Sequence, residues 1–239
     1  MLESRYTGGA EITISSRNKK CALSRWRKIH KHQLDQINPD KILLARLCGF
    51  LAGDGSVQIR KEQNGKTHHS IEFFPDDVSL VLPFVAAFQS VFKLTPKIVK
   101  SSSHFRIRTF SKSAVSYLTG LADFGINEWS PPPFLMANEK AKTEWLRAFF
   151  DSEAYVGESV IRVQSVNARG LNSVENLLVS FGIACTRFTY VPKKENWSKV
   201  YILVISRKRD RLKFLNKIGF NHKWKLTKLI SQFESAEVA

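Results

Sequence analysis

The sequence predicts an α+β fold made of two copies of one α-β-β-α-β-β-α unit. The first observation is that this order of predicted elements occurs in residues 38–125 and again in residues 139–239. Recurrence of a whole supersecondary unit indicates an internal duplication. The second is that apolar and polar residues alternate along several predicted strands, which is typical of antiparallel sheets with one buried face. We therefore expect two lobes with pseudo-two-fold symmetry, each holding a four-stranded antiparallel sheet.

Charge is the unusual feature of the composition. The 239 residues include 37 Lys and Arg against 21 Asp and Glu, a formal net charge of +16. This excess favours a polyanionic partner, nucleic acid before membrane, over the alternative of a merely solubilising surface. No apolar run approaches the roughly 18–20 residues of a membrane span. The three cysteines lack CxxC spacing, so we expect no zinc site or disulfide framework, and a cytoplasmic or organellar-matrix location.

The first copy follows a basic N-terminal arm, residues 1–37, in which one short helix is expected. Asn38 and Pro39 then suit the N-cap and first position of a helix that runs to about Gly53. An Asn-Gly pair at 64–65 predicts a tight β-hairpin. Four strands are expected at 56–63, 68–74, 96–100 and 104–110, and two further helices at 77–92 and 112–122.

The second copy is separated from the first by a Pro-rich linker, residues 126–138, whose three consecutive prolines exclude a helix or central strand. Asn138 repeats the N-cap role of Asn38 and starts a helix that ends near Ser152. The strands of the second copy are expected near 154–157, 160–166, 185–191 and 199–206, with helices near 168–181, 208–218 and 222–233.

Two nine-residue segments match in the order of their side-chain classes: "LCGFLAGDG" (47–55) and "LRAFFDSEA" (146–154). The matched positions are Gly49 with Ala148, Gly53 with Ser152, and Asp54 with Glu153. Residues four apart share a helix face, so the small residues make a flat strip on each helix that permits close helix packing. If the helices pack side by side, the two acids meet at one end of the seam.

Two carboxylates held close together repel, and a divalent cation between them relieves that repulsion. Oxygen ligands without nearby His or Cys favour Mg²⁺ over zinc. The alternative is a buried helix pair that ends in two solvated acids. The duplicated frame of the two segments favours the metal-binding interpretation.

These two segments resemble the motif of the LAGLIDADG homing endonucleases in their monomeric, two-motif form. The resemblance implies saddle-shaped sheets over DNA, motif helices at the lobe interface, and staggered double-strand cleavage across the minor groove. It implies that Asp54 and Glu153 bind the metal, with the carbonyls of Gly53 and Ser152 as additional ligands. Mg²⁺ is the expected cofactor, with Mn²⁺ or Ca²⁺ as other occupants. It also implies a monomer that needs no protein partner.

The chain departs from the motif at Ala52, where the family usually has its first acid. The first hairpin ends with Pro75 and Asp76 instead of the basic or polar residue that the family places beside each metal. In the second copy Lys223 is the predicted catalytic counterpart; a phosphate-contacting or solvated lysine is the alternative there.

The predicted strands carry a set of polar side chains that alternates with apolar ones. Arg pairs with guanine and Gln with adenine in the major groove, which admits a β-ribbon, whereas simple solvation is the alternative. The predicted DNA-contacting residues are Ser56, Gln58, Arg60, Lys61, Arg106, Arg108, Arg162, Gln164, Arg187, Thr189, Lys199 and Tyr201.

The leading hypothesis is a site-specific DNA endonuclease that hydrolyses phosphodiesters through metal-activated water. We expect an intron-encoded enzyme, because a protein-splicing element would begin with Cys or Ser and end in His-Asn. The alternative is an RNA splicing maturase or a non-catalytic DNA-binding regulator on the same scaffold.

Overall fold

The computed structural model describes residues 39–63, 65–100, 104–194 and 196–234. The basic arm, its expected helix and Asn38 lie outside the described residues. Within the described ranges, no helix is both long and apolar enough to cross a membrane.

The described part of the first lobe contains three α-helices and four strands, in the predicted order. Its elements are α1 (Lys41–Ala52), β1 (Gly55–Lys61), β2 (Thr67–Phe73), α2 (Val81–Phe92), β3 (Lys97–Lys100), β4 (Phe105–Thr109) and α3 (Lys112–Thr119). A short 3₁₀ turn, Val78–Leu80, precedes α2. Pro83 therefore lies in the first turn of α2, where its missing N–H costs no hydrogen bond.

The second lobe repeats this order and adds one terminal helix. Its elements are α4 (Glu139–Glu153), β5 (Tyr155–Val156), β6 (Ile161–Ser165), α5 (Ala168–Ser180), β7 (Thr186–Tyr190), β8 (Val200–Ile205), α6 (Lys208–Lys217) and α7 (Lys223–Glu234). Each lobe forms one four-stranded antiparallel sheet, in the order β1-β2-β4-β3 and β5-β6-β8-β7. The same strand order in both sheets confirms the predicted α+β fold and its duplication.

Helix caps show where the motif helices begin. The side chain of Asp40 accepts a hydrogen bond from the N–H of Ile42, so Asp40 caps α1, and Pro39 precedes the helix instead of opening it. Asn138 caps α4 as predicted and accepts from the N–H of Ala141. A short polar side chain at either site satisfies one of the free N–H groups of the first turn.

An aromatic cluster fills each core. In the first lobe Phe73 stacks on Phe84 with ring centres 4.6 Å apart. In the second, Trp145 stacks on Phe149 at 5.2 Å, and Trp129 packs on Phe149 at 4.8 Å. Trp129 comes from the linker and is 5% exposed, so the linker is packed into the second lobe and is more than the stiff spacer its prolines predict.

Candidate functional site

The seam between α1 and α4 is as close as the small residues predict. A Cβ added at Gly49 would lie 2.4 Å from the carbonyl oxygen of Trp145 and 2.9 Å from the Cβ of Ala148. A Cβ at Gly53 would lie 2.5 Å from the Cβ of Ser152. Real side chains do not approach so closely, so glycine is required at both positions, and the helix energy that it costs is offset by interhelix contact.

An ion pair fixes the register of the two helices further along the seam. The Nε of Arg46 donates to Oε2 of Glu144 at 2.8 Å. Arg147 donates to the other oxygen of Glu144 and, through Nε, to the carbonyl of Ile218 at 2.6 Å. The buried Glu144 carboxylate therefore has a cationic partner on each side, as a buried charge requires.

Asp54 and Glu153 come together where the seam ends. A Cβ added at Gly53 would lie 3.4 Å from Cγ of Glu153. The last turns of the two motif helices are therefore in close contact. Burial and the nearby charge of Asp54 raise the pKa of Glu153 to about 7. Burial and the charge of Asp76 raise the pKa of Asp54 to about 6. Both carboxyl groups thus lack full compensation for their negative charge.

The lysine beside these acids is Lys225, not Lys223. Lys223 is exposed, and its backbone N–H lies 3.3 Å from Oγ of Ser79. Lys225 is 5% exposed, and its ammonium donates to the carbonyls of Asp151 and Ser152. Its positive charge lowers the pKa of both Asp54 and Glu153, against the larger effect of burial.

Asp76 is a further acid close to Lys225. Its carboxylate is 4.0 Å from the ammonium of Lys225 and 3.5 Å from Nε2 of His222. These partners lower the pKa of Asp76 despite its partial burial. The acid at the end of the first hairpin therefore forms a polar contact between the lobes, where the resemblance implies a basic or polar residue beside the metal.

A divalent cation fits the chemistry of this site. Asp54 and Glu153 offer two hard oxygen donors, and a cation between them would relieve the repulsion that, after burial, raises the pKa of Glu153. Among the described residues, no group of three or more Asp, Glu, His or Cys side chains is placed to hold a metal. Mg²⁺ is commonly held by one or two carboxylates, with water and substrate phosphate completing its octahedron. The carbonyl of Ser152, one of the predicted additional ligands, is occupied by Lys225.

The outer face of the first sheet, away from its buried side, is polar and basic. Its register places Ser56, Glu72, Arg108 and Lys97 in one row across the strands. The further polar residues of this face are Gln58, Arg60, His68, Ser70 and Arg106. Lys61 alternates with Arg60 and belongs to the opposite face, at the exposed end of the hairpin, which corrects its predicted placement.

The outer face of the second sheet is largely apolar, which also corrects the prediction. Arg162 and Gln164 do lie on it, and the register sets Ile202 and Phe188 directly beside Gln164. The side chains of three predicted DNA-contacting residues, Arg187, Thr189 and Tyr201, lie on the helix-covered face. Arg187 there forms an ion pair with Glu175 of α5. Lys199 precedes β8 in an exposed loop.

A cavity of about 330 Å³ is lined both by Glu153 and by Gln164 of this outer face. Glu153, Gln164 and Val200 line it on one side, and the end of α1 and the linker residue Ile126 line it on the other. Sequence reasoning missed this cavity and the position of Lys225. The spacing of Lys225 four residues before the buried Leu229 was the available signal, because it puts both on the inner side of α7.

Comparison with known proteins agrees with this fold. Residues 140–219 match the family described as LAGLIDADG-like domain. Over 74% of this chain and 96% of the other, the structure superposes on the homing endonuclease I-DmoI, solved in complex with DNA and Mn, with a TM-score of 0.59 and 20% identity. It also superposes on full-length DUF199/WhiA from Thermatoga maritima, with a TM-score of 0.53 and 14% identity, covering 88% of this chain and 67% of that one. The resemblance is confirmed: the chain has the LAGLIDADG fold, with two motif helices in one polypeptide.

Two curated relatives contain a similar segment within much longer proteins of Methanocaldococcus jannaschii. One is glutamine–fructose-6-phosphate aminotransferase, 24% identical over 84% of this chain and 19% of that protein. The other is the small subunit of replication factor C, 28% identical over 78% of this chain and 10% of that protein. The chain thus spans a fifth or less of the curated relatives it matches.

Proposed function

We propose that this chain is a site-specific DNA endonuclease that cuts both strands of a duplex with the help of a divalent cation, Mg²⁺ by preference. The observation that carries the proposal is the partly buried carboxylate pair, Asp54 and Glu153, at the ends of two tightly packed helices. Holding two carboxylates close together costs electrostatic free energy in the free protein. Such a cost is expected at a site that is completed by a cation and a substrate phosphate.

The residues have distinct tasks in this proposal. Asp54 and Glu153 would hold the cation, which supplies an activated water and stabilises charge on the phosphate. The ammonium of Lys225 offsets the negative charge that builds up on the cleaved phosphate. The polar outer face of the first sheet and the net charge of +16 support binding of the DNA backbone and bases. Solved structures of I-DmoI contain DNA with Mn, Ca or Mg, which supports the choice of cation and of partner.

A mobile genetic element is the proposed carrier of the gene, with an intron as our first expectation. The two curated relatives have names that indicate unrelated activities, yet each has a segment similar to this chain. A segment shared by such different proteins behaves as an independent module. We propose that it acts as a monomer, since two motif helices in one chain already form a complete seam.

Selection from a randomised duplex library tests the proposal. Duplexes that bind the protein in the presence of a chelator are recovered, then supplied with Mg²⁺, and the new ends on both strands are sequenced. We expect one staggered pair of cuts, and no cuts by Asp54→Asn or Glu153→Gln at unchanged affinity. Binding without cleavage in Mg²⁺ and in Mn²⁺ would contradict the nuclease and favour a DNA-binding regulator. Preference for structured RNA over the duplexes would favour a maturase.

A further inference from the structure

We propose that Asp151 is a positioning residue that holds Lys225 in place by tying down the turn between α6 and α7. The role of Lys225 in cleavage rests on the proposed function. The tie itself is a property of the fold and can be measured without DNA or metal.

Every described hydrogen bond to the Asp151 carboxylate comes from this one turn. Its Oδ1 accepts from the backbone N–H of Asn221 at 2.8 Å and of His222 at 2.9 Å. Its Oδ2 accepts from the side-chain amide of Asn221 at 2.9 Å. Asp151 is fully buried at 0% exposure, so these three bonds are what makes its burial tolerable.

The tied turn sets the start of α7, and with it the position of Lys225. The carbonyl of His222 accepts from the N–H of Leu226 at 2.9 Å, which forms the first helical turn. Lys225 is the third residue of α7, and its ammonium returns to the carbonyl of Asp151 itself. Asp151 therefore restrains both the backbone that carries the lysine and the ammonium at its tip.

The first copy of the unit lacks an acid at the position that corresponds to Asp151. Ala52 occupies the position that Asp151 has in the second copy, one residue before the small residue of each motif. The matching place beside Ala52 and Gly53 is the cavity of about 330 Å³, which Gly125 and the linker residue Ile126 also line. Among the described residues, no lysine lines this cavity. The acid and the buried lysine thus occur together in the second copy, and neither is found at the matching place in the described part of the first.

Lysine reactivity tests the proposal directly. Metal-free, DNA-free protein is treated with acetic anhydride, and modification of Lys225 is followed by mass spectrometry relative to the exposed Lys223 on the same helix. We expect Asp151→Ala to raise the relative reactivity of Lys225 roughly tenfold, as the local opening of a buried group predicts. Asp151→Asn keeps one oxygen for the two backbone donors and should change the reactivity of Lys225 little. The side-chain amide of Asn221 can turn so that its oxygen accepts from the new amide of residue 151.

Epistasis provides the second measurement. Asp151→Ala should lower single-turnover cleavage roughly 10²-fold, the order expected for loss of a positioned charged group, without weakening DNA binding. In a Lys225→Met background it should have no further effect. Unchanged Lys225 reactivity, or an equal loss of cleavage in both backgrounds, would overturn the proposal. If Asp151→Ala fails to fold, Asn221→Ala removes one of the three bonds, and the same reactivity change in smaller degree is required.

Discussion

The two sheets share a strand order but present different chemistry on their outer faces. The first carries Arg60, Arg106 and Arg108 among other polar side chains. The second carries Ile202, Val204 and Phe188 beside Arg162 and Gln164. Arginine can bind phosphates and guanine edges, whereas apolar side chains can contact the methyl group of thymine. Under the proposed function, the two halves of the duplicated fold would therefore make different contacts with DNA, ionic in the first lobe and apolar in the second.

Salt dependence should show the largest effect of this difference. With on the order of 6–10 phosphate contacts, affinity should fall about 10³–10⁵-fold between roughly 50 and 200 mM salt. Replacing Lys97 and Arg108, which are neighbours on the outer face of the first sheet, should reduce the slope of log affinity against log salt by roughly one for each phosphate that is no longer neutralised. Phe188→Ala should leave the slope unchanged. Equal slopes for all these variants, measured by fluorescence anisotropy, would remove the basis for an ionic first lobe.

If Asp54 and Glu153 hold the cation as proposed, cleavage activity and fold stability should respond to pH in opposite directions. Because protonated carboxyls do not bind cations, single-turnover cleavage should fall roughly tenfold per unit as the pH drops below about 7, near the pKa of Glu153. A carboxyl with a raised folded-state pKa stabilises the fold at low pH and loses that contribution as the pH rises. The metal-free melting temperature should therefore decline between pH 4.5 and about 7, the ordinary and folded-state pKa values of Glu153.

Glu153→Gln is the control for both measurements, since it cannot ionise. Its melting temperature at pH 8 should exceed that of the wild type, and the difference should vanish below pH 4.5, the ordinary pKa of the side chain. A wild type as stable as the variant at pH 8 would show that the carboxylate is not buried at a cost.

Single arginines should affect the choice of base. Arg60→Ala and Arg162→Ala should each relax preference at one or two base pairs by roughly 1–3 kcal/mol if the contact is bidentate. Arg106→Ala should relax it less, because Arg106 is already engaged by Glu72 at 2.7 Å. Binding to single-base variants of the selected site distinguishes the two results. A uniform loss across all variants would mean that these arginines contact phosphates only.

Removing thymine methyl groups should give the smallest effect, and in one half-site only. Uracil in place of thymine deletes one methyl, worth about 0.8 kcal/mol where it is fully buried. Substitution in the half bound by the second lobe should weaken binding by about that amount per methyl group, and Phe188→Ala should abolish the difference. The same change in the other half-site is the control. If uracil weakened binding equally in both half-sites, the distinction between an apolar and an ionic lobe would be wrong.

The duplication, the seam and the acid pair could be predicted because each leaves a local pattern. Gly49 and Gly53 stand out in a helix because glycine is unfavourable there. Which side chains of β8 point toward the core could not be predicted, because all of "VYILVI" (200–205) is apolar or aromatic and shows no alternation. Its buried residues are Leu203 and Ile205, which only pairing with β6 determines. The choice of Lys225 over Lys223 likewise depended on where α7 begins.

The seam also limits how such proteins can exchange halves. At its tightest point the methyl of Ala148 occupies the space left by the missing side chain of Gly49, so the two helices fit as an unlike pair. A hybrid built from two second halves would bring two methyl groups to the same place, and it would need a glycine at one of them before its halves could associate. The Gly53–Ser152 pair sets the same limit one turn further along. Recombination of lobes from different relatives should therefore succeed or fail on these two pairs of residues.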